Sequence, residues 1–600
     1  MPSDQWHTPA TDARGPLRVP DFSALAAKLT PGARARNLYQ RVQQSPEGFR
    51  LESLLEEMRI RTRIEAADRA RIPLRGPVVV VANNPHGVLD GAILSTLLTQ
   101  VRPDVKVLTH FLFSDIPELQ RSCIFVDPFQ TDRSLDANRK ALREAVAWLQ
   151  QGGMLAMFPA GEAPHWQMPV AQIADPAWNN TAVRLIRRTG ALALPVYFCG
   201  HNNFGFQVLG MIHPKLRSAF LLQEFLQQAG KAVEVRVGSP LSPDAILTMN
   251  DDREVTAYLR WRTHLLARRN RMERSRPLTS RTIFRVKIQE PIADAVPPQT
   301  LADEIETLPA RNRLAESGDL SVYVATAVEI PHALLEVGRL RELTFRQAGE
   351  GTGKSRDLDS FDQYYWHVLL WNSAKRELVG AYRAGSTAEI LRERGIRALY
   401  TSTLFRYDER LFEKLGPALE LGRSFVRSEY QRQYAPLLLL WKGIARLAAL
   451  HPEAAVLFGA VSISNDYNEA SREMIYRFFE ARMHRDDLSA MVEPRRPFRT
   501  SLLRRWDCRS MCRALRDIDE LSQPITDIET DGKGLPILLR QYAKIGGRLV
   551  GFNVDRKFSD VLDGLVVVDL HQTDPAVLDR YMGREAAATF RRIHGLTAAG

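Results

Sequence analysis

Two groups of residues in this 600-residue chain have the types and spacing that chemistry needs. The first is His86 with Asp90, in the run Val81-Ala82-Asn83-Asn84-Pro85-His86-Gly87-Val88-Leu89-Asp90-Gly91. A carboxylate beside an imidazole fixes its tautomer and stabilises the imidazolium, which makes the ring a general base. The alternative role for Asp90 is to cap the helix that follows. The second group centres on Glu420 and Arg423, inside the mostly apolar run 418–426. Charges in such a run are costly unless paired or used. They form either a salt bridge at a sheet edge or part of a site. Arg383 ends a similar run at 378–383, and Asp359 and Asp362 lie in the acidic segment 357–362. Carboxylates hold an ammonium and take its proton, and arginines meet a carboxylate in a forked pair.

The elements around them set the architecture. Short apolar runs at 78–82, 105–108, 124–126, 154–158, 192–198 and 233–237 read as strands, with helical segments at 91–101, 135–150 and 181–188. That alternation predicts an α/β domain with a largely parallel sheet, whose reactive residues belong at the strand ends. His86 stands at such an end. Residues 1–72 read as an N-terminal helical segment, 73–285 as the first domain and 286–318, rich in proline, as a linker. Residues 319–600 form a second, mixed α/β domain, with strands expected at 320–325, 378–383, 398–404, 418–426, 456–464, 549–554 and 564–570.

Composition excludes several classes. Hydrophobic residues make up 45% and charged residues 25%, so the chain is not a disordered polymer. The balance of 81 Lys+Arg against 70 Asp+Glu leaves +11, which suits an acidic protein partner or an anionic membrane. The arginines of 251–285 read either as a solvated helix face or as a phospholipid-facing patch. No nucleic-acid motif accompanies them. The four cysteines complete no zinc set, and no metal is expected. Residues 1–20 contain no apolar signal-type core, and no apolar run approaches the ~20 residues of a membrane-spanning helix. The reading is a cytoplasmic protein, peripheral on the inner membrane face.

Further segments carry a resemblance. Ile116-Pro117-Glu118-Leu119, Phe158-Pro159-Ala160-Gly161-Glu162 and Leu194-Pro195-Val196-Tyr197-Phe198 follow the His86 run in order. Residues 77–240 thereby resemble the lysophospholipid acyltransferase family. The resemblance implies a histidine that deprotonates an acceptor hydroxyl for attack on an acyl thioester. Asn84 occupies the family's histidine position; either His86 takes the role through the Pro85–Gly87 turn, or this half is catalytically weak. Gly161 and Glu162 lie in the substrate-binding block, where Glu162 and Ala163 follow the glycine in place of the family's threonine and arginine. A carboxylate there favours an acceptor with an amine over a phosphate.

The acidic segment 357–362, the Val379-Gly380-x-x-Arg383 strand and the Glu420-x-x-Arg423 strand form a second set. That set is similar to the autoinducer synthases, and more closely resembles the ornithine-lipid-type N-acyltransferases of the GNAT superfamily. The likeness implies direct attack of an amine on an acyl thioester. Glu420 would handle the amine, Arg383 and Arg423 would shape the site or meet an amino-acid carboxylate, and Asp359 and Asp362 would assist. The whole chain resembles the bifunctional ornithine-lipid synthases. That implies N-acylation of an amino acid such as ornithine with a 3-hydroxyacyl group, then O-acylation of its hydroxyl. No cofactor is implied beyond acyl-acyl carrier protein as donor. The alternatives are a monofunctional N-acyltransferase with a lipid-binding first half, and a non-catalytic, hemolysin-like membrane-binding protein.

Overall fold

A computed structural model describes residues 30–45, 48–127, 132–160, 165–167, 172–174, 178–200, 225–269, 289–500 and 515–596. The chain divides into two units, Met1–Ala267 and Arg268–Gly600.

In the first unit, the five apolar residues of β2 (Val78–Ala82) are buried on both faces, as a central parallel strand requires. The sheet comprises β1 (Arg61–Arg63), β2, β3 (Val105–His110), β4 (Cys123–Val126), β5 (Met154–Met157), β6 (Leu192–Phe198) and β7 (Ala232–Val237). Their order is β1-β7-β6-β2-β5-β3-β4. The β6–β7 pair is antiparallel, and the other pairs are parallel. The expected largely parallel α/β sheet is therefore present. The described residues of the 1–72 segment are not a separate layer. β1 adds to the sheet edge, and Leu55 and Ile72 share a core with Val78, Val80 and Leu194.

The second unit holds an eight-stranded sheet. Its strands are β8 (Arg313–Ser317), β9 (Leu320–Ala325), β10 (Trp366–Asn372), β11 (Glu377–Ser386), β12 (Ala418–Val426), β13 (Val456–Ile463), β14 (Arg548–Asp555) and β15 (Val561–Asp569). The order is β8-β9-β10-β11-β12-β13-β15-β14. β12 and β13 are the parallel pair, and they pair only from Ala418–Glu420 to Val456–Phe458. At Gly459 they still touch, because a Cβ there would overlap the Leu421 carbonyl oxygen. Beyond it β12 stays with β11 and β13 with β15, so the two strands part. Helix α2 (Pro331–Gln347) packs Ala333, Val337 and Leu340 on one face, against Leu369, Trp371 and Phe425. Helix α3 (Tyr434–Leu450) covers the other face, where Gly443 lets it approach Val322 and Val368.

Three expectations change. The 286–318 segment, read as a linker, includes the helix Pro298–Ile305 and strand β8. Leu301 and Ile305 are buried with Trp371, so the prolines start a packed helix rather than a spacer. Residues 398–404, read as a strand, form 3-10 turns at Ile396–Ala398 and Tyr400–Thr403. The amides of Tyr400 and Thr401 donate to a side chain, Glu420, instead of a neighbouring strand. Finally, β10 was not anticipated, although it lies between β9 and β11 within the sheet.

Candidate active sites

In the first unit, the chain leaves β2 through Asn83. Its amide donates to the Phe198 carbonyl at 3.0 Å and accepts from the Phe198 N–H at 2.7 Å, holding the loop to the end of β6. Helix α1 (Val88–Thr99) then starts with Asp90 buried in its first turn. The Asp90 carboxylate binds His86 twice. Oδ2 accepts from the His86 backbone N–H at 2.7 Å, and Oδ1 lies 2.9 Å from Nδ1. With Asp90 ionised, the proton sits on Nδ1 and the Nε2 lone pair is the basic position. That side of the ring faces Gly200, just beyond β6, where a Cβ would collide with Nε2. Asn84 has a buried Oδ1 with no hydrogen-bond donor among the described residues. Gly161 and Glu162 lie outside the described residues.

The second site is built on one face of the second sheet. Arg383 on β11 is opposite Gly422 on β12, and Gly385 is opposite Glu420. The register shifts between Ala381 and Arg383, so β12 bulges at Arg423, which adopts φ 50°. The extra residue turns the Arg423 side chain to the face that carries Arg383. There the two guanidiniums lie 4.9 and 5.1 Å from the Tyr400 ring centre. Arg423 also stacks over Phe558, at 4.3 Å.

Carboxylates from 357–362 meet these cations. Asp359 is 2.6 Å from Arg383 and 3.5 Å from Arg423. Asp362 is 2.7 Å from Arg341 on α2 and 3.2 Å from Arg383. Asp357 is 3.2 Å from Arg423. Asp359 and Asp362 also cap the 3-10 turn Ser360–Gln363 reciprocally. Burial works to raise the Asp362 carboxyl, but Arg341 and Arg383 overcome it and hold the group well below the usual range. Asp357 is raised, because burial outweighs Arg423 and Arg341. His367 is fully buried and gives its Nε2 proton to the Asp362 carbonyl at 2.9 Å. Burial and the Arg341 charge push it down to about 4, so it is neutral.

Glu420 and Arg423 make no pair with each other among the hydrogen bonds and ion pairs of the described residues. Glu420 is 1% exposed. It accepts from the Thr401 N–H at 2.7 Å, the Tyr400 N–H at 3.2 Å and the Tyr365 hydroxyl. Burial raises its carboxyl, against the donors from Thr401 and Tyr365. The structure thus brings together Arg383, Arg423, Asp359 and Asp362, with Glu420 beneath the Tyr400 turn. His86 and Asp90 belong to the other unit. Sequence reasoning did not identify Arg341, Tyr365 or Tyr400 as parts of this site. An arginine amid the apolar positions of a helix was the available signal for Arg341. Among the described residues no three His, Cys, Asp or Glu side chains converge as metal ligands.

Comparison with known proteins adds a family. Residues 340–442, from α2 into α3, match the model of the acetyltransferase (GNAT) domain. A glycine N(alpha)-acyltransferase of Bacteroides thetaiotaomicron is 30% identical over 276 residues, covering 43% of this chain and 80% of that protein. A glycine N(alpha)-acyltransferase of Phocaeicola vulgatus is 28% identical over 279 residues, covering 44% and 83%. This chain therefore belongs to the acyltransferase family of these proteins and carries a GNAT domain in its C-terminal region.

Proposed function

We propose that the second unit acylates the α-amino group of an amino acid with a long-chain 3-hydroxyacyl thioester. The observation that carries this reading is the array of Arg341, Arg383 and Arg423 against Asp357, Asp359 and Asp362, on the sheet face beside the parting strands. An amino acid carries a carboxylate, and the guanidiniums of this array, held by the aspartates, offer it a forked partner. Beyond Leu421 the edge of β12 that faces β13 has no strand pairing among the described residues, and N–H groups on that edge suit polarising a thioester carbonyl. Arg383 and Arg423 meet the carboxylate, and Asp359 holds the two guanidiniums in place. Glu420 works from below, ordering the turn that carries Tyr400.

A second activity is favoured by a separate observation, the buried His86–Asp90 pair with Nε2 free of Asp90. In this reading His86 removes the proton of the 3-hydroxyl, and a second acyl group is added there. The product is a diacylated aminolipid. The donor is acyl carrier protein, an acidic partner that suits the +11 charge, and the enzyme works from the membrane surface. No helix among the described residues is long and apolar enough to cross a bilayer.

The test supplies the purified chain with 3-hydroxyacyl-acyl carrier protein, or the matching coenzyme A thioester, and with ornithine or glycine. Mass spectrometry reads mono- and diacylated products. Transfer to neither amino acid from either donor would refute the first reading. A mono-acylated end product with excess donor would refute the second.

A further inference from the structure

A second set of carboxylates lies further along the same sheet face. Ser462 on β13 is directly opposite Asp563 on β15, and Asp563 is directly opposite Asn553 on β14. Directly opposed residues share a face, so Asp563 projects with Ser462. Ser462 is four residues beyond Phe458, the last residue of β13 paired with β12, or about 13 Å further along the strand. Its hydroxyl donates to Glu350 Oε2 at 2.9 Å. Glu350 follows α2, on a loop held by Glu342, which accepts from the Thr352 and Gly353 amides, and by the Ser464 hydroxyl on the Ala348 carbonyl. Asp563 is 6% exposed and has no hydrogen-bond donor or ion-pair partner among the described residues. A buried, ionisable and unpartnered group is costly unless something else binds it.

We propose that Glu350 and Asp563 form the amine end of the N-acyltransferase site, with Asp563 binding the substrate ammonium and Glu350 accepting its proton. This rests on the amine-acylating reading above. The arginines neutralise Asp357, Asp359 and Asp362, whereas Glu350 and Asp563 have no arginine salt bridge among the described residues. The bulged Arg423 stacks on Phe558, in the turn between β14 and β15, and its field reaches Asp563. The arginine array for a carboxylate and the free carboxylates for an ammonium thus adjoin.

The step balances as follows. The ammonium gives one proton to the Glu350 carboxylate. The nitrogen lone pair forms the C–N bond as the carbonyl π pair moves to oxygen. On collapse the C–S bond breaks, and the thiolate leaves with its electron pair. The second nitrogen proton neutralises the thiolate, and Glu350 returns its own proton to water.

Burial, opposed by Ser462 and aided by Asp466, pushes the Glu350 carboxyl up to about 7. Burial with Asp555 and Glu350 pushes Asp563 well up, against Arg423. The charged and titratable groups around the pair are Asp466 after β13, Asp555 on β14, Arg423 on β12, Tyr400, and the Glu342–Arg346 pair of α2. A base that titrates near neutrality is matched to proton transfer at physiological pH.

The experiment uses the full chain, an acyl thioester and two acceptors. One is glycine or ornithine, whose amine is protonated at neutral pH. The other is aminooxyacetate, whose amine is not. Wild-type kcat should rise with pH through about 7. Glu350→Gln should lower kcat for the amino acid by about 10²-fold or more and abolish that rise, with a far smaller loss on aminooxyacetate. Asp563→Asn should raise KM for the amino acid about tenfold and leave kcat less affected. Equal loss on both acceptors, or a wild-type pH profile in Glu350→Gln, would overturn the assignment while leaving the amine-acylating reading intact. A wild-type chain that acylates neither acceptor would sink both.

Discussion

Replacing Glu420 by glutamine separates two roles for this carboxylate. Its oxygens accept from two backbone N–H groups and the Tyr365 hydroxyl, all at a site 1% exposed. Glutamine keeps one acceptor oxygen and turns an NH2 group toward the remaining donors. At least one buried donor is left without a partner, and hydrogen bonds to a charged acceptor become bonds to a neutral one. Each such loss costs about 1–3 kcal/mol, so the variant should lose about 2–3 kcal/mol. At about 2–4 °C per kcal/mol for a large domain, the affected transition should fall by about 4–12 °C. The chain has two units, so the melt should be compared with that of His86→Ala, which alters the other one. N-acylation should decline alongside, because the turn carrying Tyr400 supports the stacking of Arg383 and Arg423. A variant with wild-type melting and no N-acylation would refute the positioning argument and return the amine itself to Glu420.

His86→Ala should let the mono-acylated product accumulate; full-rate diacylation, read by lipid mass spectrometry, would remove His86 as the base. Gly459→Ala should destabilise the second unit by about 1–3 kcal/mol in a denaturant melt, because its Cβ meets the Leu421 carbonyl oxygen and the strands must shift. The Glu350 carboxyl lies above its ordinary 4.5, at about 7, so the folded state binds its proton more tightly than the unfolded state does. Its contribution is fully present below about 4.5 and lost as pH rises through about 7, so wild type should melt progressively lower relative to Glu350→Gln, which stays neutral, as pH rises across that window. A difference that is flat with pH would contradict the raised value.

The apolar strand runs of the first unit were legible because a buried parallel strand is apolar on both faces, as in Val78–Ala82. The sites were legible where a charge broke such a run, as at Glu420, Arg423 and Arg383. Other elements were not. The polar turn at 400–403 reads as a strand by residue type, and becomes a 3-10 turn because Glu420 takes its amides. The prolines near 298 read as a spacer, yet Leu301 and Ile305 bury against Trp371 from a distant strand.

By itself, the sequence determined the apolar strand runs of the first half, the division into an α/β first half and a mixed second half, and which residues carry charge in apolar surroundings. Those are local properties, set by side-chain period and by the cost of burying a charge. Tertiary structure decided the pairings. It gave Arg423 to Asp357 and Asp359 rather than to Glu420, through a bulge with φ 50° that re-aims one side chain. It also set Asp563 against Ser462 and Glu350, residues far apart in the chain. Strand register across a sheet depends on long-range pairing, which local sequence pattern does not encode.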